Sequence, residues 1–149
     1  MGSGQRAEVE RVDGTATISA AGVGNTPDLE NAAEALTRSA DRYQKALAAA
    51  QEKLAQASPA QLASLNQKLI ESERRLTNPD GLPRRPWYKH LVYAPGVYTG
   101  YAPKTIPGVR EGIEQKRYTE AEQEIVRVSK ALQDEAALVD SAAQELERF

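Results

Sequence analysis

The residues of this 149-residue chain best suited to chemistry are gathered in one stretch, residues 78–108. It holds the only Trp (Trp87), the only His (His90), four of the six Tyr (Tyr88, Tyr93, Tyr98 and Tyr101) and six of the eight Pro. Arg84, Arg85, Lys89 and Lys104 make it basic, with Asp80 as the one acid opposing them. Such a set of cations suits a small anion or a carboxylate; the plain alternative is that each is solvated. His90 between Tyr88 and Tyr93 suits a proton shuttle, and also a packed, hydrogen-bonded imidazole. Trp87 after Pro86 reads as the anchor that pins the stretch to its neighbours, with Tyr88, His90 and Tyr93 sharing that role.

Elsewhere the composition mostly excludes. With no Cys there is no disulfide, thiolate ligand, iron–sulfur cluster or cysteine nucleophile. A single His argues against a zinc site or a His-dependent triad, so no metal ligand and no catalytic residue is assigned. The 21 acidic side chains lie mostly on helical patterns, and pairs such as Glu71/Arg75 and Glu120/Glu124 read as solvated faces. A net charge of −2 gives no field of one sign for nucleic acid or anionic lipid, and no apolar run has a membrane helix's length. Neither partner is expected. Met1-Gly2-Ser3-Gly4 reads as an expression scar, which implies a longer natural chain. The compartment stays undetermined, with an exported parent (periplasmic or extracellular) compatible.

The elements that must hold the loop are helical. Twenty-four alanines and 5% aromatic residues favour closely packed helices over strands. Residues 1–26 read as the scar and an irregular lead, with a stub of helix at 6–12. From Thr26, a good N-cap followed by Pro27, the pattern Leu29, Ala33, Leu36, Ala40, Tyr43, Leu47, Ala50, Leu54 predicts one long helix over 27–56. Ser58-Pro59-Ala60-Gln61 spells a capping box, and Leu62, Leu65, Leu69 and Leu76 carry a second helix to about residue 77. Joined by about two residues, these two helices should run back against each other. Asn78-Pro79-Asp80-Gly81 makes the turn into the loop. A short helix is expected at 109–116. Thr119-Glu120-Ala121-Glu122 reads as a second capping box opening the last helix, whose stripe is Ala121, Ile125, Val128, Leu132, Val139, Ala142 and Leu146. The expected fold is all-α: three long helices and a short one, with a long ordered Pro/Tyr-rich loop. Leu36, Tyr43, Leu47, Leu65, Leu69, Val128, Leu132 and Val139 form its core or dimer seam.

Gly81-Leu82-Pro83-Arg84-Arg85-Pro86-Trp87-Tyr88-Lys89-His90-Leu91-Val92-Tyr93-Ala94-Pro95, followed by Tyr101-Ala102 and Ile106-Pro107-Gly108, resembles a segment of glutamate carboxypeptidase II and its relatives. That segment opens the C-terminal loop of their transferrin receptor-like dimerisation domain. Through helix order alone the resemblance extends over 26–146. It implies a homodimerisation module that follows a zinc-peptidase domain and lends its long loop to that domain's substrate pocket. Zinc is then expected only in the preceding domain, no cofactor in this chain, and no activity from this chain alone. The parent is expected to be a zinc-dependent carboxypeptidase or aminopeptidase-like enzyme. In the family a Lys-Tyr pair of this loop hydrogen-bonds a substrate's C-terminal glutamate. Tyr101 keeps the Tyr position and Gly100 stands at the Lys position, with Lys104 as a displaced cation. The resemblance thus implies an exposed Tyr101 and a parent that does not demand a C-terminal glutamate; on the other reading Tyr101 packs under the loop. A free-standing helical adaptor and a small enzyme built on Tyr88, His90 and Arg84 or Arg85 are the alternatives.

Overall fold

A computed structural model describes residues 9–12, 15–18, 24, 26–98, 100 and 102–149, the first two segments by their backbone alone. Four helices, α1 (Thr26–Leu54), α2 (Pro59–Arg75), α3 (Pro107–Glu114) and α4 (Tyr118–Leu146), make up most of it. The mostly helical expectation holds. The lead, however, carries an antiparallel pair, β1 (Val9–Val12) with β2 (Thr15–Ile18), where a helical stub was expected. The sequence reason is plain in hindsight: β-branched Val9, Val12, Thr15, Thr17 and Ile18 flank an Asp13-Gly14 dipeptide. A second small ribbon, β3 (Tyr93–Pro95) with β4 (Pro103–Thr105), rises from the long loop.

Helix α4 is the axis, and α1, α2 and α3 all pack on it. Leu29 of α1 meets the core beside Ile125 and Val128, while Ala46 and Ala50 meet Ala142, Ala143 and Leu146, so α1 runs parallel to α4. Helix α2 runs the other way: Leu65 joins the cluster around Leu146, Lys68 reaches Ser141, and Ser72 reaches Glu135. The Ser58 capping box forms as read, with Ser58 Oγ accepting from the Gln61 N–H and Gln61 Oε1 accepting from the Ser58 N–H.

Three readings are corrected. Helices α1 and α2 run in opposite directions as expected, but they pack along α4 and not on each other. The buried face of α1 is Ala32, Ser39, Ala46 and Ala50, whereas Leu36 and Tyr43 are half-buried and Leu47 exposed. Alanines also crowd the facing surface of α4 (Ala131, Ala136, Ala142, Ala143), so small residues occupy the line of closest approach and the leucines flank it. The second capping box is absent: α4 begins at Tyr118 from Arg117 with no side-chain cap. Glu122 instead accepts a hydrogen bond from the Gly24 N–H. Helix α3 packs closely on the first turn of α4: a Cβ on Gly112 would lie 2.9 Å from the Ala121 Cβ and 3.0 Å from its backbone.

Candidate functional site

The loop between α2 and α3 is folded by its own backbone and then riveted by charge. The Asn78 N–H bonds the Lys89 carbonyl, Leu82 bonds Tyr88, and Leu91 returns to Leu76. Gly81 at φ +70° lets the Pro86 carbonyl approach to where a Cβ would otherwise sit. Leu82, Leu91 and Ala94 are buried with Val109, Ile125 and Val128, and they anchor the loop. Trp87 does not: it is 70% exposed, at the outer side of a turn whose inward position is taken by Arg85. Tyr88 lies under the Arg85 guanidinium, 5.6 Å from its ring centre, with its outer face in solvent.

The four cations of the loop are neither a free anion site nor simply solvated. Arg84 makes a two-pronged pair with Glu120 at 2.7 and 2.8 Å. Arg85 donates to Glu111 Oε2 at 2.8 Å, both side chains being buried, and also to the Pro95 carbonyl. Lys104 donates to Glu114 at 2.6 Å, and Lys89 to the Pro79 carbonyl. The acids that meet Arg84, Arg85 and Lys104 therefore come from α3 and from the start of α4. Hydrogen bonds from Arg84 hold the Glu120 carboxyl below its ordinary value. Burial works to raise Glu114, but hydrogen bonds from Lys104 and Arg110 outweigh it and the net shift is downward. Glu124 is pushed up by burial despite its bond with Arg127, whose other nitrogen holds the Gly81 carbonyl. The Glu120/Glu124 pair is thus part of the loop's foundation, not a solvated face.

His90 sits beside Tyr93, with ring centres 4.1 Å apart, and its Nδ1 accepts from the backbone N–H of both Val92 and Tyr93. Tyr93 is exposed along its ring and donates its hydroxyl to Glu73 of α2 at 2.8 Å. The far end of the β3–β4 ribbon is open: Tyr98, Gly100 and Ala102 are exposed there. Tyr101, which the sequence singles out, lies outside the described residues, so its exposure is not settled by the structure.

A second surface lies at the other end of the molecule. Because α1 and α2 splay apart on α4, a groove of about 440 Å³ opens between them, lined by Ala40, Tyr43 and Leu47, by Leu69 and Ser72, and floored by Leu138, Val139 and Ala142. Leu47 is 37% and Leu69 is 44% exposed on its rims, and Ile70 is exposed beyond them. Of the seam residues, Leu65 and Val128 are buried, and Leu36, Tyr43, Leu132 and Val139 are half-buried.

Sequence reading missed Glu111, Glu124 and Glu135, all buried. Their signal was an acid placed within an apolar face, Glu135 at a slot of the α4 stripe above all, where it accepts from Ser72. Among the described residues no three His, Cys, Asp or Glu side chains come together in a way that could hold a metal ion. No described helix is long and apolar enough to cross a membrane.

The chain matches the family model of the transferrin receptor-like dimerisation domain over residues 25–140. It is 41% identical over 75 residues to a probable glutamate carboxypeptidase of Arabidopsis thaliana, covering 46% of this chain and 11% of that protein. A probable glutamate carboxypeptidase of Arthroderma benhamiae is 43% identical over 68 residues, covering 46% and 9%. An inactive zinc metalloprotease of Schizosaccharomyces pombe is 31% identical over 72 residues, covering 48% and 9%. The chain thus spans about a tenth of the length of these relatives.

Proposed function

The chain belongs to the transferrin receptor-like dimerisation domain family, and on that premise we propose that it is the homodimerisation module of a glutamate carboxypeptidase-like metallopeptidase. The observation that carries self-association is the open groove between α1 and α2, an apolar floor whose rims carry Leu47 and Leu69 beside Gln44 and Lys68, and which no described element covers. Apolar surface gathered in one place marks an interface, and a second copy in two-fold symmetry closes it without leaving an unpaired face. Sedimentation of the chain at tens of micromolar is expected to give a dimer, and the double variant Leu47→Lys/Leu69→Glu a folded monomer. A wild-type monomer under those conditions rules out self-association by this chain alone.

The finer reading is that the β3–β4 ribbon reaches from this module into the substrate pocket of a preceding protease domain. The exposed tip around Tyr98 and Gly100 supports it, as does the relatives' greater length. In this reading the module has no activity of its own, and zinc and the catalytic groups belong to the protease domain. Lys104 is turned towards Glu114, so Tyr101 is the residue left to meet a substrate carboxylate, by one hydrogen bond from its phenol. Without a cation at Gly100 the preference for a C-terminal glutamate is relaxed. In the longer protein, Tyr101→Phe should raise KM for a dipeptide with a free C-terminus and leave the melting temperature unchanged. A variant with wild-type KM defeats the pocket assignment while leaving dimerisation standing.

A further inference from the structure

We infer that Glu111 is the positioning residue of the ribbon tip: through its bond to Val97 and its pair with Arg85, it sets where Val97 and Tyr98 stand relative to a substrate. The inference rests on the pocket reading above, and its substance comes from one buried carboxylate. Glu111 lies on α3, on the face turned away from solvent, with its side chain 4% exposed. Its Oε1 accepts the Val97 N–H at 2.9 Å, two residues beyond the end of β3 and thus at the entry to the tip. Its Oε2 accepts from Arg85 at 2.8 Å, and the same guanidinium donates to the Pro95 carbonyl, the last of β3. Lys104 of β4 stands 3.9 Å from Oε1, so the returning strand meets the same charge. Three points of the ribbon, its outgoing strand, its tip and its return, are therefore referred to a single side chain of α3.

The surroundings are built to hold that carboxylate still. Ile106, at the foot of β4, is kept in the left-handed region at φ 41°, a conformation a β-branched residue adopts only when its neighbours enforce it. Its N–H bonds the Val92 carbonyl at 2.6 Å, which closes the base of the ribbon directly before α3 begins. A buried pair of charges adds little net stability over an apolar replacement, because desolvation offsets most of its attraction. What it offers here is geometry: a planar guanidinium and a carboxylate fix two backbone groups two residues apart. A pocket loop needs such a grip, since a misplacement of about 1 Å can cost roughly a hundredfold in rate.

The test pairs two measurements on Glu111→Gln, which keeps the shape of the side chain and an acceptor for Val97 but removes the charge that holds Arg85. Hydrogen exchange on the 149-residue chain should quicken at the amides of Val97, Tyr98 and Gly100 by about tenfold, with α1 and α4 within about twofold of wild type. In the longer protein, KM for a dipeptide with a free C-terminus should rise about fivefold at nearly constant kcat, the mark of a binding contact moved rather than of chemistry lost. Arg85→Lys, which keeps the charge and loses the fork, should show the same split and serves if Glu111→Gln fails to fold. Unchanged exchange at the tip overturns the grip. Faster exchange with KM unmoved, in a protein where Tyr101→Phe does raise KM, overturns Glu111 as a positioning residue. Faster exchange with KM unmoved in both variants overturns the pocket reading beneath it.

Discussion

The two ends of α4 differ in how much of their finish is buried charge and how much is left open. Around its first turns, a loop with no helical period is packed on α3 and α4 through Leu82 and Leu91 and held by Arg84–Glu120, Arg85–Glu111 and Lys104–Glu114. Around its last turns, Ala46, Ala50, Leu65, Ala142, Ala143 and Leu146 make a small aliphatic cluster, and the face beside it is left as a groove. One end is closed from within the chain and uses charge to specify a single arrangement. The other packs on a small aliphatic core, adds the ion pairs Arg42–Glu147 and Lys68–Glu145, and leaves a groove with an apolar floor that no described element covers. The contrast shows how a module of this size can carry both a ribbon held by buried charge and an open apolar-floored groove: it keeps them at separate ends of one helix.

The contrast can be broken most severely at the buried pair. Arg85→Met leaves Glu111 buried without its main partner and should destabilise by about 3–5 kcal/mol in chemical unfolding; Arg85→Met/Glu111→Leu together should recover most of it. A single variant that costs nothing would mean that charge does not hold the loop end. Next, Gly112→Val forces a branched side chain against Ala121, where a Cβ alone already meets backbone at 3.0 Å. A loss of about 1–3 kcal/mol is expected, read as a lower midpoint without a change of slope.

Acid should weaken both ends, since hydrogen bonds from Lys68 and Arg42 hold Glu145 and Glu147 below their ordinary values at the groove end as well. At the loop end Glu120 and Glu114 have folded pKa values below the ordinary 4.5, so the folded state gives up these protons more readily than the unfolded chain. Their contribution is fully present above the unfolded value and is lost as pH falls through the folded ones. Glu124 has the opposite sign: its raised value makes its ionised form a cost at neutral pH that protonation relieves. Melting temperature should therefore fall as pH drops below about 4.5, and Arg84→Gln should flatten the decline. A wild-type profile that stays level to pH 3 would remove these pairs as determinants. At the groove, Leu69→Glu should change monomer stability by no more than about 0.5 kcal/mol while abolishing the dimer. Smallest of all, Trp87→Ala should fall within about 0.5 kcal/mol, against roughly 3–5 if it were a buried anchor.

How far the sequence could be read depended on the range of the forces involved. Helix starts and stops are local: Thr26-Pro27, Ser58-Pro59-Ala60-Gln61 and Pro107-Gly108 act within a turn, and the helices begin within a residue or two of where those signals lie. The loop's motif was equally legible, because its Pro, Arg and Tyr residues stand in a distinctive order. The Asp13-Gly14 signal was just as local and was passed over. The start of α4 was not legible in this way: the helix begins at Tyr118, so Thr119 lies inside it and its capping box does not form.

What the sequence by itself determined is the helical class, the capping of α2, the limits of the long loop and the family, all of which follow from spacing along the chain. Only the tertiary structure decided which face of α1 is buried, because Leu and Ala stripes share the same period and the alanines of α4 chose between them. It also decided that α1 and α2 lie apart, that Trp87 faces solvent while Arg85 faces inward, and that the loop's cations answer to acids at Glu111, Glu114 and Glu120. Those pairings join residues separated by ten to thirty-six positions. The strength of a charge pair depends on distance and burial in three dimensions, and neither is written in the order of residues.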